Sequence, residues 1–291
     1  MPDIIIFGAG GQLGRELSLL FPEAYKVYHK DQSGTTHDIA DAEFIRDIIE
    51  LHKPDIVINA AALANVDLCE KNNALAYQTN GKSVCTIAKY SRIYNSFLVH
   101  VSTDYVFDGK TGNYDENSIP NPINYYGTSK LIGDIYALVY ENSIIGRTSG
   151  VFGHTNNFPK FVLKNLSEGK EINAIKGFYS PIHARFLAMA ISHVIKKDFR
   201  GIINIAGDRI SRFDLAKRIA QIFGLNSDLI HESEPPSNMI AKRPFDSSIT
   251  MTPLIAVFTK LNGIRPHRKE IYKLFLSHQL YIFLCGMEVY S

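Results

Sequence analysis

The 291-residue chain contains no tryptophan and only three cysteines, Cys69, Cys85 and Cys285. Their separations fit no metal site, and an odd number cannot pair completely. Reduced thiols, as found in a cytoplasmic protein, are the simplest expectation. Long apolar runs are also missing. The longest late one, Leu280 to Cys285, falls far below the roughly 20 residues needed to cross a bilayer. The start, Met1-Pro2-Asp3, has no basic region, so no signal peptide is expected. Charge of either sign is nearly balanced at +2, which argues against nucleic acid and against an anionic membrane as partners. No repeat or low-complexity stretch interrupts the chain. What remains is ordinary globular material, 45% apolar and 21% charged, long enough for a large domain with a smaller lobe.

Asp3 to Phe7 is a short apolar run, followed by Gly8-Ala9-Gly10-Gly11-Gln12-Leu13-Gly14 and a helical pattern at Leu13, Leu17 and Leu20. Strand, glycine turn and helix together make a candidate dinucleotide cradle. Gly8 serves the tight turn, Gly11 lets backbone approach a pyrophosphate, and Gly14 lets helix and strand pack closely. The helix start at Gln12 and Leu13 offers unpaired N–H groups to phosphate. The spacing is G-x-x-G-x-x-G rather than the commoner G-x-G-x-x-G.

A second strand is expected over Tyr25 to Tyr28 and ends at His29-Lys30-Asp31. An acid for the ribose hydroxyl often stands there in dinucleotide folds. Lys30 suits a 2′-phosphate instead and tilts the cofactor toward NADPH, with NADH still open. Asp38-Ile39 precedes a helix from about 41 to 52, and Asp38 is a candidate for the adenine side.

Pro54 to Asn59 reads as a buried parallel strand, continuous and β-branched. The small residues Ala60-Ala61-Ala62 after it leave room for a flat cofactor or for close helix packing. A long helical region is expected from about 70 to 94, carrying Asn80. A strand over 96–101 leads into Ser102-Thr103-Asp104-Tyr105. Strands and helices alternate to this point, which predicts an α/β, doubly wound parallel sheet of Rossmann type over 1–147. A smaller substrate lobe is expected over 148–248, the chain free to recross between the two, with an atypical tail over 249–291.

Tyr126 and Lys130 lie four residues apart on a helix expected to start near Asn124. That spacing puts a phenol and an ammonium on one face, one turn apart, suited to proton transfer at a carbonyl oxygen. The ammonium favours the phenolate by direct attraction.

Taken together, Gly8 to Gly14, Pro54 to Ala62, Val66-Asp67, Asn80, Ser102 to Gly109, Pro120-Asn121-Pro122, Tyr126 to Lys130, Arg147-Thr148-Ser149, Asn156-Asn157-Phe158, Ser180-Pro181 and Arg243-Pro244 resemble the extended short-chain dehydrogenase/reductase superfamily. Within it they resemble the dTDP-4-dehydrorhamnose reductases, over roughly residues 3 to 248. The resemblance implies reduction of the C4 keto group of a nucleotide-linked 6-deoxysugar by NADPH or NADH, giving dTDP-L-rhamnose. Tyr126 would protonate the C4 oxygen as the nicotinamide delivers hydride. Lys130 would hold the nicotinamide ribose and lower the tyrosine pKa, and Thr103 would hydrogen-bond the same substrate oxygen. Asn80 joins the cofactor side by the same resemblance, and Asp104, Tyr105, Gly150 and Arg243 the substrate side. A homodimer is compatible with it.

Departures qualify the match. Tyr105 replaces the acid that sugar-nucleotide dehydratases carry there, which favours a reductase. Gly150 stands where the family commonly has tryptophan, Ile182 where it has threonine, and after Ser248 the motifs stop. Two other readings stay open: a cofactor-binding regulatory subunit of S-adenosylmethionine synthetase, and another sugar-nucleotide reductase or epimerase. His100 inside an apolar strand is expected to be a satisfied core histidine. His154 and His183 fall near the pocket mouth without ligand spacing, so no metal is expected. Asp104 either orients the Thr103 loop or caps the next turn. Arg185 and Arg243 are candidates for a diphosphate.

Overall fold

The computed structural model describes residues 2–30 and 33–251. Most of the expected tail, residues 252–291, therefore lies outside the described residues. In chain order the elements are β1 (Ile4–Phe7), α1 (Gln12–Leu20), β2 (Tyr25–Val27), α2 (Ala42–His52), β3 (Ile56–Asn59), α3 (Val66–Lys71), α4 (Asn73–Ala76) and α5 (Ser83–Ile93). β4 (Phe97–Thr103), α6 (Tyr125–Leu138), β5 (Ser143–Thr148) and β6 (Val151–Phe152) follow. Then come α7 (Phe158–Ser167), β7 (Ile172–Ile175), β8 (Phe178–Tyr179), β9 (Ile182–His183), α8 (Ala184–Lys196), β10 (Gly201–Asn204), β11 (Ile210–Ser211), α9 (Arg212–Phe223) and β12 (Ile230–Ser233).

A six-stranded sheet in the order β10-β5-β4-β3-β1-β2 forms the centre. All its pairings are parallel, as the continuous apolar strands predict. One apolar layer, including Leu13, Leu17, Leu187 and Ile191, joins α1 and α8 to the sheet. The other, including Ile45, Ile49, Val84 and Ile87, joins α2 and α5. The doubly wound α/β expectation holds. The chain does recross: α8 and β10, both beyond residue 148, belong to this layered body. A separate cluster around Val162, Ile172, Ile219 and Ile230 is the core of the smaller lobe, built from α7, α9, β7 and β12.

The strand order reverses between β1 and β3. Here two turns touch: the Ala60 N–H donates to the Phe7 carbonyl at 3.0 Å. A Cβ on Gly8 would lie 2.6 Å from the Ala61 nitrogen. Ligands of such sheets bind beyond the carboxyl ends of the strands at this reversal, and a pocket of about 540 Å³ opens there.

The helical region expected over 70–94 is present, in several segments. Asn65 caps the start of α3, accepting from Leu68 N–H, and Asn72 restarts the helix as α4, accepting from Leu75 N–H. Tyr77–Lys82 is then wound as a π-helix before α5 begins. Asparagine side chains compete for backbone N–H groups and so favour caps over helix interiors. The first tail residues are packed: Ile249 is buried and Thr250 N–H donates to the Tyr114 carbonyl at 2.9 Å.

The Gly8 carbonyl and Ala9 Cα would lie 2.1 and 2.7 Å from a Cβ on Gly14. Gly14→Ala therefore forces α1 off the turn, an overpacking cost of roughly 1–3 kcal/mol or more. A urea midpoint below wild type is the expected result, and an unchanged midpoint would show that α1 has slack here.

Candidate active site

Thr103 ends β4, and Asp104 begins the 3-10 turn Asp104–Val106. Asp104 is 3% exposed yet fully partnered. Its carboxylate accepts from the Thr103 hydroxyl at 3.1 Å, the Ser149 hydroxyl at 2.7 Å and the Ser247 hydroxyl at 2.5 Å. Burial raises its pKa and the three hydroxyls pull it back. The turn itself is capped by Thr103, whose hydroxyl accepts from Tyr105 N–H. Of the two roles open for Asp104, the structure shows the first: it orients the Thr103 loop.

α6 docks directly onto that turn. A Cβ on Gly127 would lie 2.1 Å from the Tyr105 carbonyl oxygen, so only glycine permits this approach. Asn124 caps the helix by accepting from Gly127 N–H at 2.8 Å. The result is that the Tyr126 phenol faces the Thr103 hydroxyl, close enough for Thr103 to act on its pKa. Tyr105 packs edge-on to Tyr126, 5.8 Å between ring centres. Burial raises the Tyr126 pKa above the ordinary phenol value, outweighing the influence of Thr103, which lowers it. The phenol is therefore neutral across the physiological range and holds a proton to give.

Lys130 lies one turn further, 2% exposed. Its Nζ donates to the Val101 carbonyl at 2.7 Å and lies 3.5 Å from His100 Nε2. Desolvation draws the ammonium down to about 8, with Asp134 pulling it up. The forces acting on the Tyr126 phenol are burial, Thr103, Asp104, Tyr105 and Cys69.

Beneath Lys130 lies a buried polar cluster that the sequence reading passed over. His100, 0% exposed, has Nδ1 3.3 Å from Asn59 Nδ2 and Nε2 3.6 Å from Asp134 Oδ1. Burial, then the Lys130 charge, lowers the His100 pKa well below the usual histidine range. Asp134 also accepts from Arg147 Nε at 3.3 Å, both residues buried. His100 is thus a core histidine, but one tied to the ammonium of the site. The signal was present, since Asp134 follows Lys130 by one helical turn.

The glycine turn fits the pyrophosphate of a dinucleotide. Gly11 is the N-cap of α1 with no side-chain cap, so the first N–H groups of the helix are free for an anion. A Cβ on Gly11 would make only ordinary contact, 3.4 Å from the Gly8 carbonyl; it faces the pocket, as do Gln12, Leu13, Ala60 and Ala62. Gly8, Gly14 and Ala61 lie beneath the turn and shape it. Gln12 is already engaged, donating to the Val151 carbonyl at 3.0 Å, and so ties α1 to the segment after β5.

Other expected contacts fall elsewhere. Asn80 is 1% exposed and grips the loop after β3, accepting from Leu63 N–H at 2.8 Å and donating to Ser129 Oγ at 3.0 Å. Asp38 caps locally onto Ala40 N–H, Ile39 is buried, and Lys30 lies exposed at the end of β2. Arg243 pairs with Asp67 at 3.1 Å and does not line the pocket. His183 caps α8 and His154 meets Glu16 at 2.7 Å. Among the described residues no group of His, Cys, Asp and Glu forms a metal cage. No helix there is long and apolar enough to cross a membrane. Thr103, Asp104, Tyr105, Tyr126, Lys130 and Gly150 do share the pocket.

The family model for the RmlD substrate binding domain matches residues 2–277. The chain belongs to that family. The match runs beyond Ser248, where the individual motifs stop. A dTDP-4-dehydrorhamnose reductase of Aggregatibacter actinomycetemcomitans is 34% identical, covering 91% of this chain and 95% of the relative. The crystal structure of a hypothetical dTDP-4-dehydrorhamnose reductase from Sulfolobus tokodaii is 46% identical, with a TM-score of 0.83 over 88% of this chain and 94% of that one. The Bacillus anthracis dTDP-4-dehydrorhamnose reductase in complex with NADP is 29% identical, TM-score 0.79, covering 91% and 94%. A methionine adenosyltransferase 2 subunit beta of Danio rerio is 27% identical over 84% of this chain and 82% of its own.

Residues missed from sequence but brought to the pocket of this family member include Tyr179, Arg212 and Ser247. These lie in the smaller lobe or the segment after it, where no local spacing announces a contact with β4.

The Lys130 pKa falls from 10.5 to about 8 on burial. Between those values the unfolded chain binds more protons, so stability rises with pH. Replacing the ammonium in Lys130→Met removes this slope. From pH 8 to 10.5 the stability difference should shift in favour of wild type by about 3 kcal/mol. Urea melts at each pH measure it, and a pH-independent difference would rule out a strongly buried ammonium.

Proposed function

We propose that the protein reduces the C4 keto group of a nucleotide-linked 6-deoxysugar, dTDP-4-dehydrorhamnose, to give dTDP-L-rhamnose. It is an NAD(P)-dependent oxidoreductase of the dTDP-4-dehydrorhamnose reductase type. The observation that carries the substrate reading is the meeting of the Tyr126 phenol and the Thr103 hydroxyl at the pocket wall.

A nicotinamide dinucleotide supplies the hydride when bound. The uncapped start of α1 and Gly11 hold its pyrophosphate, and Ala60 and Ala62 leave a smooth wall beside it. Thr103 is fixed by Asp104 and presents its oxygen next to Tyr126. The two groups together position the substrate carbonyl. Tyr126, kept neutral by burial, gives its proton to the C4 oxygen. Lys130, held on the Val101 carbonyl and lining the pocket, supplies positive charge as the phenol loses its proton.

The reading as a regulatory subunit without turnover leaves the buried machinery unexplained. A module that only binds cofactor has no need of a neutral phenol beside Thr103, backed by a buried lysine.

Mixing purified protein with NADPH or NADH and dTDP-4-dehydrorhamnose tests this. Substrate-dependent loss of absorbance is expected, reduced about 10²–10⁴-fold in Tyr126→Phe, with fold and NADP affinity retained. Turnover undiminished in that variant would remove Tyr126 as proton donor, and none in wild type would sink the substrate reading. Preference for NADPH rests on Lys30, exposed at the end of β2. Lys30→Ala should raise the KM for NADPH and leave that for NADH unchanged. Equal effects on both would place the 2′-phosphate contact elsewhere.

A further inference from the structure

Gly150 follows the end of β5, and a Cβ there would lie 2.7 and 2.8 Å from two ring carbons of Tyr179. Glycine at this position is what lets the Tyr179 ring lie against the backbone. Tyr179 is 7% exposed, lines the pocket, and its hydroxyl has no hydrogen-bond partner among the described residues. Burial raises its pKa, so the group is a neutral O–H donor. A buried donor left without an acceptor is costly, which is why native structures rarely keep one.

Arg212, the first residue of α9, lines the same pocket. Its guanidinium carbon sits 4.7 Å from the Tyr179 ring centre, and it lies close enough to the Tyr105 phenol to pull that pKa down. Tyr105 in turn lies edge-on to Tyr126. Stacking fixes the guanidinium plane while leaving donors unused, the arrangement in which arginine recognises phosphate. Among the described residues no carboxylate forms an ion pair with Arg212; Asp104 feels it only through space.

We infer that Tyr179 and Arg212 form the subsite for the anionic, nucleoside-diphosphate part of the substrate: Arg212 takes phosphate oxygens, and the Tyr179 hydroxyl donates to a further oxygen of the same ligand. The inference rests on the sugar-nucleotide reading above and adds to it the residues that select the ligand. Both act on binding, and neither touches the reacting carbonyl. Gly150 belongs to this subsite indirectly, through the space it gives Tyr179. The wall runs Tyr126, Tyr105, Arg212, Tyr179, so the nucleotide end is aligned with the proton donor by a continuous set of contacts.

Calorimetric binding of dTDP, thymidine and NADP to wild type, Arg212→Gln, Arg212→Lys and Tyr179→Phe tests it, with thermal melting to confirm each fold. Wild type should bind dTDP more tightly than thymidine. Arg212→Gln should weaken dTDP about tenfold to a hundredfold and leave thymidine and NADP unchanged, with Arg212→Lys restoring part of the loss. Tyr179→Phe should weaken dTDP about twofold to tenfold and, in turnover, raise the substrate KM with kcat nearly kept. Equal dTDP affinity in wild type and the variants, or a loss falling on NADP, would overturn the subsite alone. Wild type that binds NADP but not dTDP would overturn the sugar-nucleotide reading and the subsite with it.

Discussion

The Asp104 carboxylate is the point on which the site depends. Three hydroxyls converge on it from three places: the end of β4, the end of β5, and the segment at Ser247. The last lies 143 residues away in sequence. A buried carboxylate is costly unless it is hydrogen-bonded, and each bond made to it is stronger for being charged. The chain therefore reaches its lowest energy only when both lobes close on this group. Thr103 is held by the same closure, and the direction of its hydroxyl is a consequence of assembling the fold.

A second buried charge system lies behind the first. Lys130 and Arg147 bring two cations against one carboxylate, Asp134, with His100 kept neutral by burial between them. When Lys130 is protonated the cluster carries a net positive charge beneath the site. Pre-set charge of this kind stabilises negative charge that develops on nearby oxygen at little cost in rearrangement. Its own cost is visible in the lysine, whose pKa falls to about 8 despite Asp134. Such a cluster is weak evidence for stability, since buried ions seldom outperform apolar packing. Its place under the proposed proton donor accounts for it better.

The sheet, most helices and several caps were legible in the sequence because they are local. Continuous β-branched runs mark buried parallel strands, and Ser211 announces the start of α9 by its side chain accepting from Asp214 N–H. Tyr126 and Lys130 were legible for the same reason, being one turn apart on one helix. The helical region expected over 70–94 is there, but apolar spacing gave no sign of its interruption at Asn72, where a side-chain hydrogen bond restarts the helix. Tyr179, Arg212 and Ser247 were illegible because their meaning comes from closure of the second lobe onto β4. Arg243 shows the converse: its position beside Pro244 suggested a diphosphate contact, but its charge is taken by Asp67.

The electrostatics also bear on the direction of the proposed reaction. The phenol and ammonium on one helical face suggest a lysine-stabilised phenolate, the form that removes a proton. Assembled, the phenol is desolvated beside Thr103, and its pKa rises. A tyrosine in that state holds its proton until an oxygen basic enough to accept it appears beside it. Carbonyl reduction creates such an oxygen only as hydride arrives, so proton transfer and bond formation are coupled by the acidity of the site itself. The charge that Tyr126 acquires on giving up its proton is then met by Thr103 and the positive cluster behind Lys130. Burial therefore sets the resting state of the donor, and the buried cations make its loss of a proton tolerable.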